Sequence, residues 1–517
     1  MKKLFKYVFF LMILSISVPI LNQIQSKLNT IKREHRLTET EPLENAPPIV
    51  AFTTIALGGF RGLVADVLFL RSQKLQESES YFEIVQLASW ITKLQPRFTG
   101  ATAFLAWNMA YNISVTFSSH EDRWRWVQRG IELIRDEALE YNPGDPILYK
   151  ELGWIYQHKI GQLMDDANRY YKVQMATEIM KILDGEGGTE TDWQKYANTP
   201  KRAEEFLDFL AAYPDFLKKS KLTSKLLDEY EIEFRDANQL PEKLKNAAKK
   251  DLLENTFEIY FRAKWLREVA KLDSGFIYGL NQKYGALDWR LPEAHAIYWA
   301  SKGVEATEDK KNIECERMIF QSLKNAFQQG RLIYAKDVGL LQMSPNISIV
   351  DAVNMAYLSA EKQHPDNSSI SGGYGNFLID AVVTLYTFGE ESKAKEYFQK
   401  YRKEFPGKTK ERNFHKFALK ELAGDVSSAS YKQAEGIIFG MYFQMCRLLT
   451  LGEVKRAEAI DRIAKKVYIT YQFDIGDTQV RRGLPPLKQI KAKSIGLCIK
   501  SFPKSLVETL RKKLENE

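Results

Sequence analysis

Six histidines are the residues of this chain best suited to proton transfer or metal ligation: His35, His120, His158, His295, His364 and His415. None falls in HExxH or another ligand spacing. His295 has the densest company, with Asp288, Arg290 and Glu293 close by in sequence. Imidazole beside carboxylates is the raw material of a general base. No nucleophile or ligand set accompanies it, so His295 reads as a structural or surface residue. Gly185-Glu186-Gly187-Gly188 lacks the Gly-Lys-Ser/Thr of a phosphate loop, and Gly372-Gly373-Tyr374-Gly375 has no strand-to-helix context, so both read as loops. No G-x-S-x-G elbow is present. The cysteines, Cys315, Cys446 and Cys498, are odd in number, far apart and form no CxxC, which argues against a disulfide framework or zinc site. The 66 acids offer too many pairs to single out a carboxylate dyad. The expectation is a chain with no catalytic residue, no metal and no cofactor.

Aromatic residues are the other chemically distinctive group. Trp90, Trp107, Trp124, Trp126 and Trp154, with Tyr111, Tyr141, Tyr149 and Tyr156, crowd the front of the chain. At helical spacing most belong to a core. The alternative is an aromatic groove of the kind solenoids use to grip peptides or glycans. Arg123-Trp124-Arg125-Trp126 is the chosen partner-binding stretch. Four consecutive residues spread around a helix, so a single buried face cannot hold them all, and the two tryptophans are expected to be exposed.

The elements that must position these residues are helical. The chain has 517 residues, 44% hydrophobic and 12% aromatic, with only 29 glycines and 17 prolines. This is too apolar for disorder and suits long helices. The net charge of +8 is concentrated at the ends. Residues 481–517 carry a surplus of seven positive charges, residues 1–46 a surplus of three, and the body between is close to neutral. Nucleic-acid binders instead carry positive charge on a folded face, so no nucleic-acid partner is expected. The 481–517 segment reads as a basic tail, either solvated or touching anionic lipid.

Lys2, Lys3 and Lys6 precede an apolar run, Tyr7–Leu21. This is a signal-anchor or signal-peptide pattern. Lysines stay cytoplasmic, which places the body outside the inner membrane of a bacterium as a single-pass, periplasmic domain. Cleavage near Ser15-Ile16-Ser17 would instead release it. Pro47-Pro48 closes a polar linker and marks the start of the folded body. Ile49–Leu70 is a second apolar stretch, but Arg61 and Asp66 argue against a span. It reads as a buried first helix in which those two residues pair, with membrane contact as the alternative.

Two phrases recur late in the chain: Tyr386-x2-Gly389-Glu390-x2-Lys393-Ala394 and Leu449-x2-Gly452-Glu453-x2-Arg456-Ala457. A glycine turn between a hydrophobic helix end and an early Ala in the next helix describes a tight helix hairpin. Gly424-Asp425 with Ala429, 35 residues after Gly389, reads as a degenerate copy. Earlier, Tyr149-x2-Leu152-Gly153-x2-Tyr156 follows Tyr141-Asn142-Pro143-Gly144-Asp145-Pro146. These residues resemble the tetratricopeptide repeat family, whose first helix carries W-x2-L-G-x2-Y, here with Tyr149 in place of Trp. The resemblance implies an all-α α-solenoid of helical hairpins. Leu152 and Tyr156 would fill the hairpin wedge, Gly153 would permit close helix approach, and Gly389, Ala394, Gly452 and Ala457 would build corners. It also implies that binding, not catalysis, is the work of the chain.

The expected organisation is therefore residues 1–21 as anchor or signal, 22–48 as linker, 49–183 as front repeats, 184–370 as an irregular helical middle, 371–480 as rear repeats and 481–517 as tail. Within the middle, Pro200–Asp236 and Leu240–Leu272 read as amphipathic helices. A helix begins near Pro292 and turns Ala294, Ile297, Tyr298 and Ala300 inward. Gly185–Gly188 and Ser368–Gly375 read as flexible breaks. The functional expectation is a non-catalytic scaffold or adaptor for protein–protein contacts at the bacterial cell envelope, in assembly, secretion or polysaccharide export. The alternatives are an envelope enzyme acting on carbohydrate or peptidoglycan through a helical cleft, and a peptide- or solute-binding protein.

Overall fold

The computed structural model describes residues 23–24, 27, 30–31, 60–307, 312–335, 340–428, 431–475, 483–502 and 504–515. The anchor at 1–21 and almost all of the linker at 22–48 lie outside them. Among the described residues no helix is long and apolar enough to cross a membrane.

The described residues are helical, with one β-hairpin among them. The front comprises α1 (Phe60–Glu77), α2 (Tyr81–Leu94), α3 (Thr99–Asn108), α4 (His120–Glu132), α5 (Pro146–Trp154) and α6 (Asn168–Ile182). Starts are set by local chemistry. Ser119 caps α4 by accepting from the Asp122 N–H, and Asp145 caps α5 by accepting from the Ile147 N–H ahead of Pro146. Three of these helices run on into wider π-helical turns: Met109–Ile113 after α3, Leu133–Ala138 after α4 and Ile155–Ile160 after α5. Such turns are rare and often border functional sites.

The middle holds α7 (Trp193–Ala197), α8 (Ala203–Leu210), α9 (Pro214–Ser220), α10 (Ser224–Ala237), α11 (Glu242–Ala248), α12 (Glu254–Val269), α13 (Ser274–Tyr284), α14 (Pro292–Glu305) and α15 (Ile313–Gln329). The stretches expected as two amphipathic helices are thus divided among α8 to α12. β1 (Arg331–Ala335) and β2 (Leu340–Ser344) pair antiparallel, with Arg331 opposite Ser344. The rear holds α16 (Val350–Gln363), α17 (Ser368–Thr387), α18 (Glu391–Glu404), α19 (Phe414–Ser428), α20 (Tyr431–Thr450), α21 (Val454–Ile475), α22 (Leu487–Ser501) and α23 (Lys504–Leu514).

The two glycine corners are hairpin turns. Gly389 joins α17 to α18 with φ +77, and Gly452 joins α20 to α21 with φ +79. Glu390 N–H donates to Leu385 O at 2.8 Å and Glu453 N–H to Leu448 O at 2.9 Å. This is the left-handed glycine termination that satisfies the last helix carbonyls. Ala394 and Ala457 are fully buried behind the corners. The two corners also meet, because Arg456 pairs with Glu390 and Ile460 packs beside Gly389.

Leu152 and Tyr156 are buried. Gly153 does permit a close approach, but not by the neighbouring helix in sequence. A methyl at Gly153 would collide with the Met318 side chain of α15 and lie in ordinary contact with the Ala296 carbonyl of α14. Helix α5 therefore packs on α14, across the division drawn at residue 184. One connected core runs from Ile84 to Leu510.

Four expectations are corrected. Ser368–Gly375 is not a break but the first two turns of α17, capped by Asn367 and held by buried Ile370 and Tyr374. Gly424-Asp425 lies inside α19 rather than at a turn. The 481–517 segment is no solvated tail. It forms α22 and α23, which pack on α20 through buried Ile490, Leu497, Cys498 and Leu510, with Ser494 Oγ donating to Phe439 O at 3.1 Å. Finally, residues 49–59 of the expected buried helix Ile49–Leu70 and the Arg61 side chain lie outside the described residues, and the remainder, at the start of α1, is not buried. Ala65 and Ser72 are covered, but Leu63, Val67 and Leu70 are 59%, 58% and 67% exposed, and Asp66 is exposed beside them.

Candidate functional site

The expected exposed pair is buried. Trp126 stacks on Phe117 at 5.9 Å and meets Tyr81 edge-on at 6.1 Å. Trp124 stacks on Tyr171 of α6 at 5.6 Å. They are 5% and 7% exposed. The spread-around-the-helix argument fails here because α4 is covered on two sides, by α2 and the end of α3 on one and by α6 on the other. The arginines of the stretch divide. Arg125 is exposed and pairs with Glu121 at 2.6 Å. Arg123 is mostly covered, donating through Nε to Phe117 O at 2.7 Å and pairing with Asp165 at 3.2 Å and with Asp166.

A different aromatic surface is half exposed. Phe104, Trp107 and Tyr111 recur at i, i+3 and i+7 along α3 and its π turn, and Trp154 and His158 at i and i+4 along α5 and its π turn. Both periods place residues on one helix face. The rings form a continuous strip. Phe98 and Phe104 flank Phe69 at 6.5 and 6.0 Å, Phe104 is followed by Trp107 at 6.2 Å, and Trp107 stacks on Tyr111 at 5.5 Å. Tyr111 meets His158 at 5.8 Å, and His158 stacks on Trp154 at 4.5 Å. Burial by these neighbours pushes the Tyr111 hydroxyl pKa well up and the His158 imidazole down, so both stay neutral at neutral pH. The strip ends in a cleft of about 470 Å³ lined by Tyr111, His158, Lys159, Asp165 and the exposed Met164. Lys159 and Asp165 pair at 2.5 Å, both nearly covered. Burial favours protonation of Asp165, but hydrogen bonds from Lys159, the Ala167 N–H and Tyr171 outweigh it and hold the carboxyl below its usual range.

The second site is a partly open cleft of about 360 Å³ between α4, α6, α12 and α14, with exposed Glu178, Lys181 and Val269 in its wall. Its lining includes Trp124, Arg135, Tyr156, Glu178, Trp265 and His295. Arg135 and Tyr156 come from the two π turns that follow α4 and α5. The sequence neighbours of His295 separate in space into different roles. Asp288 receives Arg290 through two hydrogen bonds at 2.8 and 2.7 Å and the Leu332 N–H at 2.8 Å, pinning the β-hairpin. The Gly185–Gly188 turn is tied in too, since Gly187 O accepts from Trp289 N–H at 2.7 Å. His295 Nε2 lies 2.9 Å from Trp289 O, and burial pushes its pKa down to about 4. Glu293 is buried with neither carboxylate oxygen hydrogen-bonded, and burial raises its pKa against the opposing charge of Lys172. Lys172 is also buried, donates to Gly161 O at 2.7 Å, and is held below its usual range.

Sequence reasoning singled out His295 but not the cleft around it. Most of its other walls come from residues more than one hundred positions upstream, and no local signal joins them. The strip was legible in principle from the i, i+3, i+7 aromatics, which had been counted as core. Among the described residues no cluster of three or more His, Cys, Asp or Glu is placed to hold a metal. No protein-family model and no curated protein matches this chain.

Proposed function

We propose that this chain is a non-catalytic, tetratricopeptide-like helical scaffold that holds a protein or peptide partner at the bacterial cell envelope. The half-exposed aromatic strip carries the reading. Solvent-facing aromatic rings present large, rigid, partly apolar area, which is what binding hot spots are built from. Here they lie on two packed helices, so little conformational entropy is lost when a partner settles on them. The hairpin corners at Gly389 and Gly452 support a repeat-like framework. The exposed Leu63, Val67 and Leu70 lie within the apolar stretch Ile49–Leu70, which supports a membrane-proximal front end. Membrane attachment itself is assigned to the N-terminal segment.

The test is photo-crosslinking in the native host from a benzoyl-phenylalanine placed at Trp107, with exposed Lys225 of α10, which contributes no ring to the strip, as control. A discrete protein adduct from position 107, absent from position 225 and lost in Trp154→Ala, supports the scaffold. Folded protein that yields no protein adduct at position 107 sinks it.

A further inference from the structure

The corner that joins α18 to α19 is strongly basic. All seven lysines and arginines from Arg402 to Lys420 are exposed, against two acids, Glu404 and Glu411. Just before them, Lys393 pairs with Asp351 and Lys400 with Glu396, but among the described residues no ion pair holds any of the seven. The near-neutral charge of the body hides this concentration. Residues 388–517 hold 27 Lys/Arg against 16 Asp/Glu, so the positive surplus of the whole chain lies in this rear part. We propose that the corner docks on the headgroup phosphates of an anionic phospholipid bilayer.

Stability does not account for the charge. Arg402 and Lys403 lie in the last turn of α18, where the helix dipole favours cations. Lys416 and Lys420 lie in the first two turns of α19, where the dipole opposes them. With Arg412 they recur every fourth residue, so neighbours in the row repel each other. The row lies away from buried Phe417 and Ala418 and faces solvent. Lys408 and Lys410 carry the charge on through the loop. Of the two acids, Glu411 is turned to the backbone, where its carboxylate accepts from the Arg412 and Asn413 N–H groups, both at 2.9 Å.

The surroundings choose the occupant. Protein interfaces are anchored by large apolar side chains, and between Leu358 and Leu451 no large hydrophobic side chain among the described residues is exposed. A single strand of nucleic acid is held by rings on which its bases stack. The rings at the start of α19, Phe414 and His415, are instead engaged edge-on with Tyr386 at 6.0 and 5.6 Å. A bilayer requires neither feature, because each lysine or arginine near an anionic surface adds its own attraction. The choice of a bilayer also rests on reading the N-terminal segment as a membrane anchor.

The experiment uses full-length protein in nanodiscs of neutral phosphatidylcholine, which accept the N-terminal segment and offer the corner no anionic headgroup. Sedimentable vesicles are then added, either of phosphatidylcholine alone or with one-third phosphatidylglycerol. The protein should sediment with the anionic vesicles, stay behind with the neutral ones, and be released by high salt. Replacing Arg412, Lys416 and Lys420 together by Gln should weaken binding about 100-fold, roughly fivefold per base. The same variant should melt no lower than wild type, since it loses only repulsion. Equal binding to both vesicle types, no binding to the anionic ones, or a variant that binds as tightly as wild type overturns the proposal. So does tighter binding, at equal charge concentration, of a duplex oligonucleotide or of polyglutamate, which would assign the corner to nucleic acid or to an acidic protein. Recovery of the protein in the nanodisc fraction reports the N-terminal segment by itself, so a failed anchor and a failed corner are told apart.

Discussion

Replacing Glu293 by Gln should favour the folded state progressively more as pH rises. Glu293 is 2% exposed, and neither of its oxygens is hydrogen-bonded. It sits in the first turn of α14, where the helix dipole favours a negative charge by about 0.3–1 kcal/mol. That is too little to offset burial of an unpaired carboxylate. Burial accordingly raises its pKa from the ordinary 4.5. The folded state therefore holds the proton more tightly than the unfolded chain. The contribution is complete below about pH 4.5 and is lost as pH rises towards the raised folded-state value, at about 1.4 kcal/mol per pH unit. A glutamine carries no such dependence and leaves only a fixed penalty for a buried amide, on the order of 1–3 kcal/mol. Urea unfolding of both proteins, followed by circular dichroism at pH 4.5, 5.5, 6.5 and 7.5, isolates Glu293 and the groups coupled to it, chiefly Lys172, because every uncoupled titration cancels in the difference. The expected outcome is a stability difference that moves steadily in favour of Glu293→Gln as pH rises from 4.5 towards the raised folded-state value. A difference independent of pH would refute the reasoning. So would a variant that loses ground as pH rises, which would mean that Lys172 stabilises an ionised Glu293.

Three further outcomes follow from the same geometry. Trp126→Ala removes a core ring packed between α2 and α4 and should cost about 3–5 kcal/mol, read as a lowered urea midpoint; an unchanged midpoint would restore the exposed-groove reading. Asp165→Asn leaves the covered Lys159 ammonium without its partner and should cost about 3–5 kcal/mol at pH 7. Because the Asp165 pKa is depressed below 3.8, that contribution should persist in wild-type protein as pH falls to about 4 and vanish only at stronger acidity, which acid unfolding curves of the two proteins would show. Gly389→Ala forces a Cβ into left-handed backbone at φ +77 and should cost about 1–2 kcal/mol, whereas Gly144→Ala, with open space around it, should change the melting temperature little.

What could be read from the residues was local. A left-handed turn leaves a glycine, so Gly389 and Gly452 announced their corners. A proline starts a helix and an Asp or Ser caps it, so Pro292 and Pro146 marked real helix starts. All four residues expected to face inward from α14 are buried. Misreadings arose where composition masked a packed face. The Ser and Gly of 368–375 suggested a loop. Each helical glycine is unfavourable by only about 1 kcal/mol, and burial of Ile370, Tyr374 and Phe377 outweighs it. Ten basic residues in 481–517 suggested a tail and hid the Ile490, Leu497 and Leu510 that bury it. Trp124 and Trp126 looked too widely spread to be covered together, but α4 has neighbours on two sides.

The sequence by itself determined that this chain is helical, where several hairpins turn, and that no familiar catalytic spacing is present. These are properties of capping, periodicity and backbone freedom, and each is settled within a few residues. Only the tertiary structure decided which helices meet. It set Gly153 against Met318 rather than against an adjacent helix, and it left the rings from Phe98 to Trp154 in one half-exposed strip. It also brought residues as distant as Trp124 and His295 into one cleft. Side-chain burial is non-directional and indifferent to separation along the chain. The partners of a helix face, and with them the candidate sites, therefore leave no mark in any local stretch of residues.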